Sequence, residues 1–168
     1  GASYWWTSLW KVFALQALIL WIVATPLLAG QSSGTPDHLT AADFAGSAVW
    51  LLGFAFEAVG DAQLAAFRAD PANAGKVLST GLWRFTRHPN YFGDALIWWG
   101  LFVIATSVPG GGWTAFSPSL MTVLRVRVSG VALLEESLRE TRPGYSDYVA
   151  RTSAFIPWPP RRRRPESG

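Results

Sequence analysis

The 168 residues leave room for one compact unit, and with half of them apolar and only 15% charged the composition excludes an ordinary soluble domain, where about a quarter is charged. Ten Trp and ten Phe on this charge-poor background point to a polytopic membrane protein. The net charge of +3 hides an asymmetry: Arg139, Arg142, Arg151 and Arg161 to Arg164 crowd the end, which suits a solvated cytoplasmic tail or anionic lipid headgroups. No basic stripe is interleaved with a reader module, so nucleic acid is not an expected partner.

The opening GASYWW has neither an initiator Met nor the basic-then-apolar order of a secretory signal, and it reads as a fragment lacking upstream helices. Leu9 to Leu28 is apolar apart from Lys11, Gln16 and Thr25 and matches one hydrocarbon crossing of about twenty residues. GQSSGTPD marks a loop from Gly30 to Asp43, with Thr40 or Asp43 available to cap the next helix. Phe44 to Val59 is a second span whose periodicity runs on toward Arg68 until Asp70 and Pro71 stop it. A polar connector reaches Asp94, and Ala95 to Val108 is a third span, short unless its helix starts earlier. PGGGW turns the chain at Pro109 to Trp113, and Ser117 to Val128 returns as a fourth span, making a tight hairpin. Ser129 to Tyr148 is amphipathic and lies at or outside the membrane face, broken at Pro143 and Gly144. IPWPPRRRRPESG is extended and frayed. No internal repeat is evident.

The expected architecture is therefore an all-α polytopic bundle of about four transmembrane helices with a cytoplasmic C-terminal amphipathic segment. Residues 1–160 form one membrane-embedded domain and 161–168 a basic disordered tail. The loops at 30–43 and 109–119 contain no Lys or Arg, so the positive-inside rule places both termini and the 60–94 connector in the cytoplasm.

Three polar constellations stand out. The densest is Arg87, His88, Asn90, Tyr91 and Asp94, with Pro89 seating a helix start whose free N–H groups suit a phosphate or carboxylate; anchoring of the helix at the headgroups is the competing explanation. Glu57, Asp61 and Arg68 lie near one helical face, as an internal Asp61 to Arg68 ion pair or as the lining of a polar cavity. Glu135, Glu136, Arg139, Arg142, Tyr145 and Tyr148 suit the solvated face of an amphipathic helix. His38 and His88 fall on opposite membrane sides, and with no Cys no metal site is expected. Gly110 to Gly112 lacks the spacing of a phosphate loop, and no nucleophile elbow appears.

FRADPAN at Phe67 to Asn73, GLWRFTRHPNYFGD at Gly81 to Asp94, SGVALLEE at Ser129 to Glu136 and RPGYSDYVARTSAFIPWPP at Arg142 to Pro160 together resemble a membrane family of uncharacterised bacterial proteins, DUF1295. That family is related to the C-terminal domain of the steroid 5-alpha-reductases, in a superfamily with the sterol delta-14-reductases and the isoprenylcysteine carboxyl methyltransferases. The resemblance covers nearly the whole chain. It implies an integral protein of the bacterial inner membrane that uses NADPH to reduce a C=C bond in a hydrophobic enone or steroid-like lipid. S-adenosylmethionine with methyl transfer, or a non-enzymatic membrane subunit, are the alternatives.

By the resemblance, cofactor contacts carry over to Arg68, Trp83, Asn90 and Asp94, with Asp61 as the match to an acidic position and Glu135 and Tyr145 as further matches. Arg87, His88 and Tyr148 join them as cofactor-binding candidates. Tyr91 and Asp94 are the proton-donor candidates inside the motif. Leu64 stands where the sterol-reductase pattern has a Lys, and the acid and tyrosine that polarise the enone in steroid reductases lie on upstream helices with no counterpart here.

Overall fold

The computed structural model describes residues 2–128, 138, 139 and 141–161. Among the described residues the fold is all-α. Its helices are α1 (Ala2–Val23), α2 (Thr25–Ser32), α3 (Ala41–Ala69), α4 (Pro89–Ala105), α5 (Phe116–Val123) and α6 (Tyr145–Arg151), with short tight turns at Pro71–Asn73, Gly81–Arg84 and Gly111–Ala115. Glu135, Glu136 and half of the amphipathic stretch expected from Ser129 to Tyr148 lie outside the described residues.

The apolar run expected as one span from Leu9 to Leu28 is two helices. Pro26 has no N–H to offer the Ile22 carbonyl, so the helix breaks there, and two hydroxyls take up the carbonyls left over. Thr25 Oγ1 donates to Ile22 O at 2.9 Å, and buried Ser117 Oγ donates to Val23 O at 2.5 Å. The second hydroxyl comes from α5, so it also ties the break to the return helix.

α3 starts where Thr40 and Asp43 close a capping box, with Thr40 N–H donating to Asp43 Oδ2 at 2.7 Å and Asp43 N–H to Thr40 Oγ1 at 3.4 Å. It runs unbroken for 29 residues, about 43 Å at 1.5 Å per residue, and ends at Asp70 before Pro71 as the sequence predicts. α4 begins at Pro89 in its first turn, earlier than the expected Ala95, which relieves the shortness of the third span.

α3 and α4 are antiparallel and packed through glycine. Gly46 faces Gly100, Gly53 faces Gly93, and Gly60 faces Pro89 and Asn90. Seven-residue spacing on both helices keeps these positions on one seam, and the missing side chains let the two backbones touch. α5 returns along α4 after Gly110 takes the left-handed conformation, φ +80°. It widens into a looser π turn at Leu124–Val128, a departure from the plain helix expected from Ser117 to Val128.

Two helices are long and apolar enough to cross a membrane, Trp6–Val23 within α1 and Ala41–Ala69, and little of either is buried within the protein. Trp10, Trp21, Phe44 and Leu51 face outward from them.

The end of the described chain is not frayed as expected. Thr86 and Ser153 form an isolated parallel bridge, Trp158 N–H donates to Phe85 O at 2.9 Å, and buried Thr86 donates through Oγ1 to Phe155 O at 2.8 Å. Residues 152–161 thus form a strap across the connector that precedes α4.

Candidate functional site

A cavity of about 240 Å³ opens between the last turns of α3, the connector and α6. Three separate stretches of sequence build it, each held by hydrogen bonds that fix its direction. On the connector, Leu82 N–H donates to Gln63 Oε1 at 3.0 Å and the Trp83 indole N–H donates to the Gly60 carbonyl at 3.0 Å. Both bonds pin the Gly81–Arg84 turn to α3. From the other side Tyr148 OH donates to the Trp83 carbonyl at 2.5 Å, so the same residue joins α3 to α6.

The loop after α3 is shaped by its own side chains. Asp70 Oδ1 accepts from Ala72 N–H at 2.9 Å, and Asn73 Nδ2 donates back to Phe67 O at 3.1 Å. This folds the loop over the end of α3 and presents Lys76, whose carbonyl accepts from the Arg142 guanidinium at 3.0 Å.

Arg87 is almost wholly buried. Its guanidinium donates to Thr152 O at 2.5 Å and Val149 O at 3.1 Å, and its own N–H donates to Ser153 O at 2.9 Å. Those carbonyls lie at the C-terminal end of α6, where a cation complements the helix dipole. Arg87 therefore both lines the cavity and clamps the helix that forms its far wall.

The candidate residues named from the sequence divide into two groups. Arg68, Trp83, Arg87, His88, Tyr145 and Tyr148 all line this one cavity. Asp61, Asn90, Tyr91 and Asp94 do not line it; they lie along α3 and the first turns of α4. Glu135 is outside the described residues. Asn90 Nδ2 donates to Asp61 Oδ1 at 3.0 Å, and this contact replaces the suggested Asp61 to Arg68 pair among the described residues. Asp94 Oδ2 accepts from Arg125 Nε at 2.6 Å.

The two groups meet at one point. The buried His88 ring stacks on Tyr91, centroids 5.3 Å apart and planes 6° from parallel, and the Arg125 guanidinium sits 5.3 Å from the Tyr91 ring centre. A continuous path of His88, Tyr91, Arg125 and Asp94 leads from the cavity wall in among α4 and the turn after α5.

Sequence reasoning did not single out Arg125, Lys76 or Gln63 as site residues. Arg125 is embedded in the apolar LMTVLRVRV stretch, and an Arg at that place in a span was the available signal. Lys76 and Gln63 gave no local sign, because their roles come from contacts between distant segments.

In charge, among the described residues the cavity brings Arg68, Lys76, Arg87 and Arg142 against one acid, Asp70, over a floor that includes Phe67, Trp83, Tyr145 and Tyr148. Such a lining takes an anion joined to a flat or apolar group. Among the described residues no group of His, Cys, Asp and Glu could hold a metal ion.

The family model described as "Protein of unknown function (DUF1295)" matches residues 1–152. The chain belongs to the DUF1295 family. Neither a curated protein nor a solved structure matches it. The DUF1295 match spans α1 through α6 and thus includes every element that lines the cavity.

Proposed function

We propose that the chain is an integral membrane reductase that seats NADPH in the cavity between α3 and α6 and reduces a C=C bond in a hydrophobic enone or steroid-like lipid. One observation carries this reading: Arg68, Trp83, Arg87, His88, Tyr145 and Tyr148 converge on a single cation-rich, aromatic-floored cavity. The resemblance of the sequence motifs to the steroid 5-alpha-reductases gives that cavity its cofactor.

The lining fits one end of a dinucleotide. Arg68, Lys76 and Arg142 supply cations for phosphate, and Trp83, Tyr145 and Tyr148 supply flat walls for a ring. At about 240 Å³ the cavity lies just below the roughly 300–1,000 Å³ that engulfs a drug-sized ligand, so the rest of the molecule extends from its open mouth. Bound there, NADPH supplies a hydride. The chain supplies the surroundings: Arg87 holds α6 closed against the connector, the packed helices exclude water, and Tyr91, stacked behind the cavity-lining His88 ring, is the proton donor. Arg125 holds positive charge over the Tyr91 ring, and Asp94 fixes Arg125 in place.

In the membrane, α1, α3, α4 and the return segment that begins at α5 form the four spans, with the cavity and both termini on the cytoplasmic side of a bacterial inner membrane. The 43 Å or so of α3 exceeds a hydrocarbon layer of about 30 Å, so its Arg68 end projects into the aqueous phase where a dinucleotide is available.

Heat denaturation of the purified protein with each cofactor tests the reading. NADPH at about a hundred times its Kd raises the stability by about 2.7 kcal/mol by mass action, while S-adenosylmethionine leaves it unchanged. Stabilisation by S-adenosylmethionine alone overturns the proposal in favour of methyl transfer. Incubation of membranes with NADPH and a lipid extract should add a pair of hydrogens, not a methyl group, to a lipid seen by mass spectrometry.

A further inference from the structure

The strap of residues 152–161 has an inner and an outer side, as an extended chain must. Inward, Thr152 is buried and the Phe155 ring meets Phe92 edge to face at 5.8 Å, while Phe92 meets Phe56 of α3 at 5.2 Å. Outward, Ile156 and Trp158 are 64% and 68% exposed. An aliphatic and an indole side chain held in that position cost solvation unless something covers them.

Their neighbours are cations. The Trp158 N–H bond to Phe85 O and the bond from Arg161 N–H to Arg151 O at 3.0 Å draw Phe85, Arg151 and Arg161 around the strap. The Arg84 guanidinium stands 6.0 Å from the Phe85 ring centre. A second cavity of about 340 Å³ opens between strap and α6, with Arg151, Ser153, Trp158 and Arg161 in its lining. The sequence continues with Arg162, Arg163 and Arg164. Asp147, one turn before Arg151 on α6, is the nearby acid.

The height of the strap identifies what it meets. Phe56 stands about 22 Å along α3 from Ala41. With α3 seated across the bilayer as proposed and Ala41 at the far edge of a hydrocarbon layer of about 30 Å, the strap, anchored on Phe56 through Phe92, lies near the level where hydrocarbon gives way to headgroups.

We propose that the outer side of the strap is a docking surface for the acidic headgroups of the bilayer. Phosphate-bearing headgroups sit between Arg151 and Arg161, and Trp158 and Ile156 enter the interfacial layer, the depth that indole rings favour. The attraction of the arginines to an acidic leaflet adds to this and fades within a Debye length of about 8 Å. The occupant is a lipid surface because the patch joins exposed apolar side chains to cations at membrane height, where neutral lipid would engage only the apolar half. The proposal stands independently of the cofactor reading.

The chain contains no Cys, so Ile156→Cys gives a single attachment point for a polarity-sensitive fluorophore. The full chain is placed in phosphatidylcholine vesicles with and without roughly 30% phosphatidylglycerol, which sets the surface potential. In acidic vesicles the probe shifts further to the blue and is severalfold better shielded from an aqueous quencher than in neutral vesicles, where the apolar side chains alone hold it. At about 1 M salt, where the Debye length is ~3 Å, this difference is lost. Arg151→Glu with Arg161→Glu removes it at low salt. A probe equally wet, or equally shielded, in both vesicles overturns the proposal, as does extra shielding in acidic vesicles that survives both salt and charge reversal. The salt titration uses the protein with all its arginines, so it decides the matter even where the charge-reversed variant fails to assemble.

Discussion

Gly53 of α3 and Gly93 of α4 stand back to back. A Cβ on Gly53 would lie 2.6 Å from the Gly93 carbonyl oxygen, and a Cβ on Gly93 would lie 2.5 Å from the Glu57 backbone nitrogen. Backbone cannot move aside as a side-chain tip can, so even one methyl must separate the helices. Gly53→Ala should therefore destabilise the protein by about 1–3 kcal/mol, the range for overpacking. Gly30→Ala, where nothing lies within 4 Å, should be close to neutral. Thermal melts of the two variants in one detergent check the contrast.

The pairing of Asp94 with Arg125 allows a structural role to be separated from a chemical one. Asp94→Ala strands a half-buried guanidinium, and loss of one partner from such a pair costs about 3–5 kcal/mol where burial is complete and less here. Replacing both, as Asp94→Leu with Arg125→Met, should recover most of the stability. Turnover should stay lost in the recovered protein, measured alongside its melting temperature, because Tyr91 no longer has a cation over its ring.

Arg87→Lys keeps the charge but is shorter and lacks the planar guanidinium whose Nη1 donates to both the Val149 and Thr152 carbonyls. Hydrogen bonds to charged groups contribute about 1.5–3 kcal/mol each, so the substitution should loosen α6 and the strap without unfolding α3 and α4. Faster trypsin cleavage after Arg151 is the expected readout, with the protein's helical content unchanged.

Arg68→Ala and Lys76→Ala should each weaken NADPH binding by removing a cation from the cavity lining. The residual affinity should depend less on ionic strength than that of the parent, since an exposed cation acts through a screened field. Titration at low and high salt separates this from a general loss of fold, which would lower affinity equally at both.

Local chemistry was readable from the sequence where a single residue type dictates backbone geometry. Thr40 and Asp43 start α3, Asp70 with Pro71 ends it, and Pro89 starts α4, each through capping or a missing N–H. Pro26 carried the same kind of information, yet the apolar run around it outweighed the break. The seven-residue spacing of Gly46, Gly53 and Gly60 was also visible, but only its match to Gly93 and Gly100 across the pair gives it meaning. Six candidate residues converge because Tyr148 reaches the Trp83 carbonyl and Arg87 reaches the end of α6. Sequence shows such residue types and leaves their long-range pairing unstated. Arg125 was hidden for the opposite reason, as one of two arginines inside an otherwise apolar run that reads as membrane.

The unbroken length of α3 makes it a lever between two environments. One rod carries Gly46 deep among the helices and Arg68 at the rim of the cavity, so the two ends cannot adjust separately. If α3 is seated across the membrane as proposed, a bilayer a few ångströms thicker must straighten the rod or draw its rim inward, at a cost of fractions of a kcal/mol per ångström. Membrane thickness thereby becomes a variable that sets how far the cavity mouth stands from the lipid, and with it how readily a water-soluble ligand arrives.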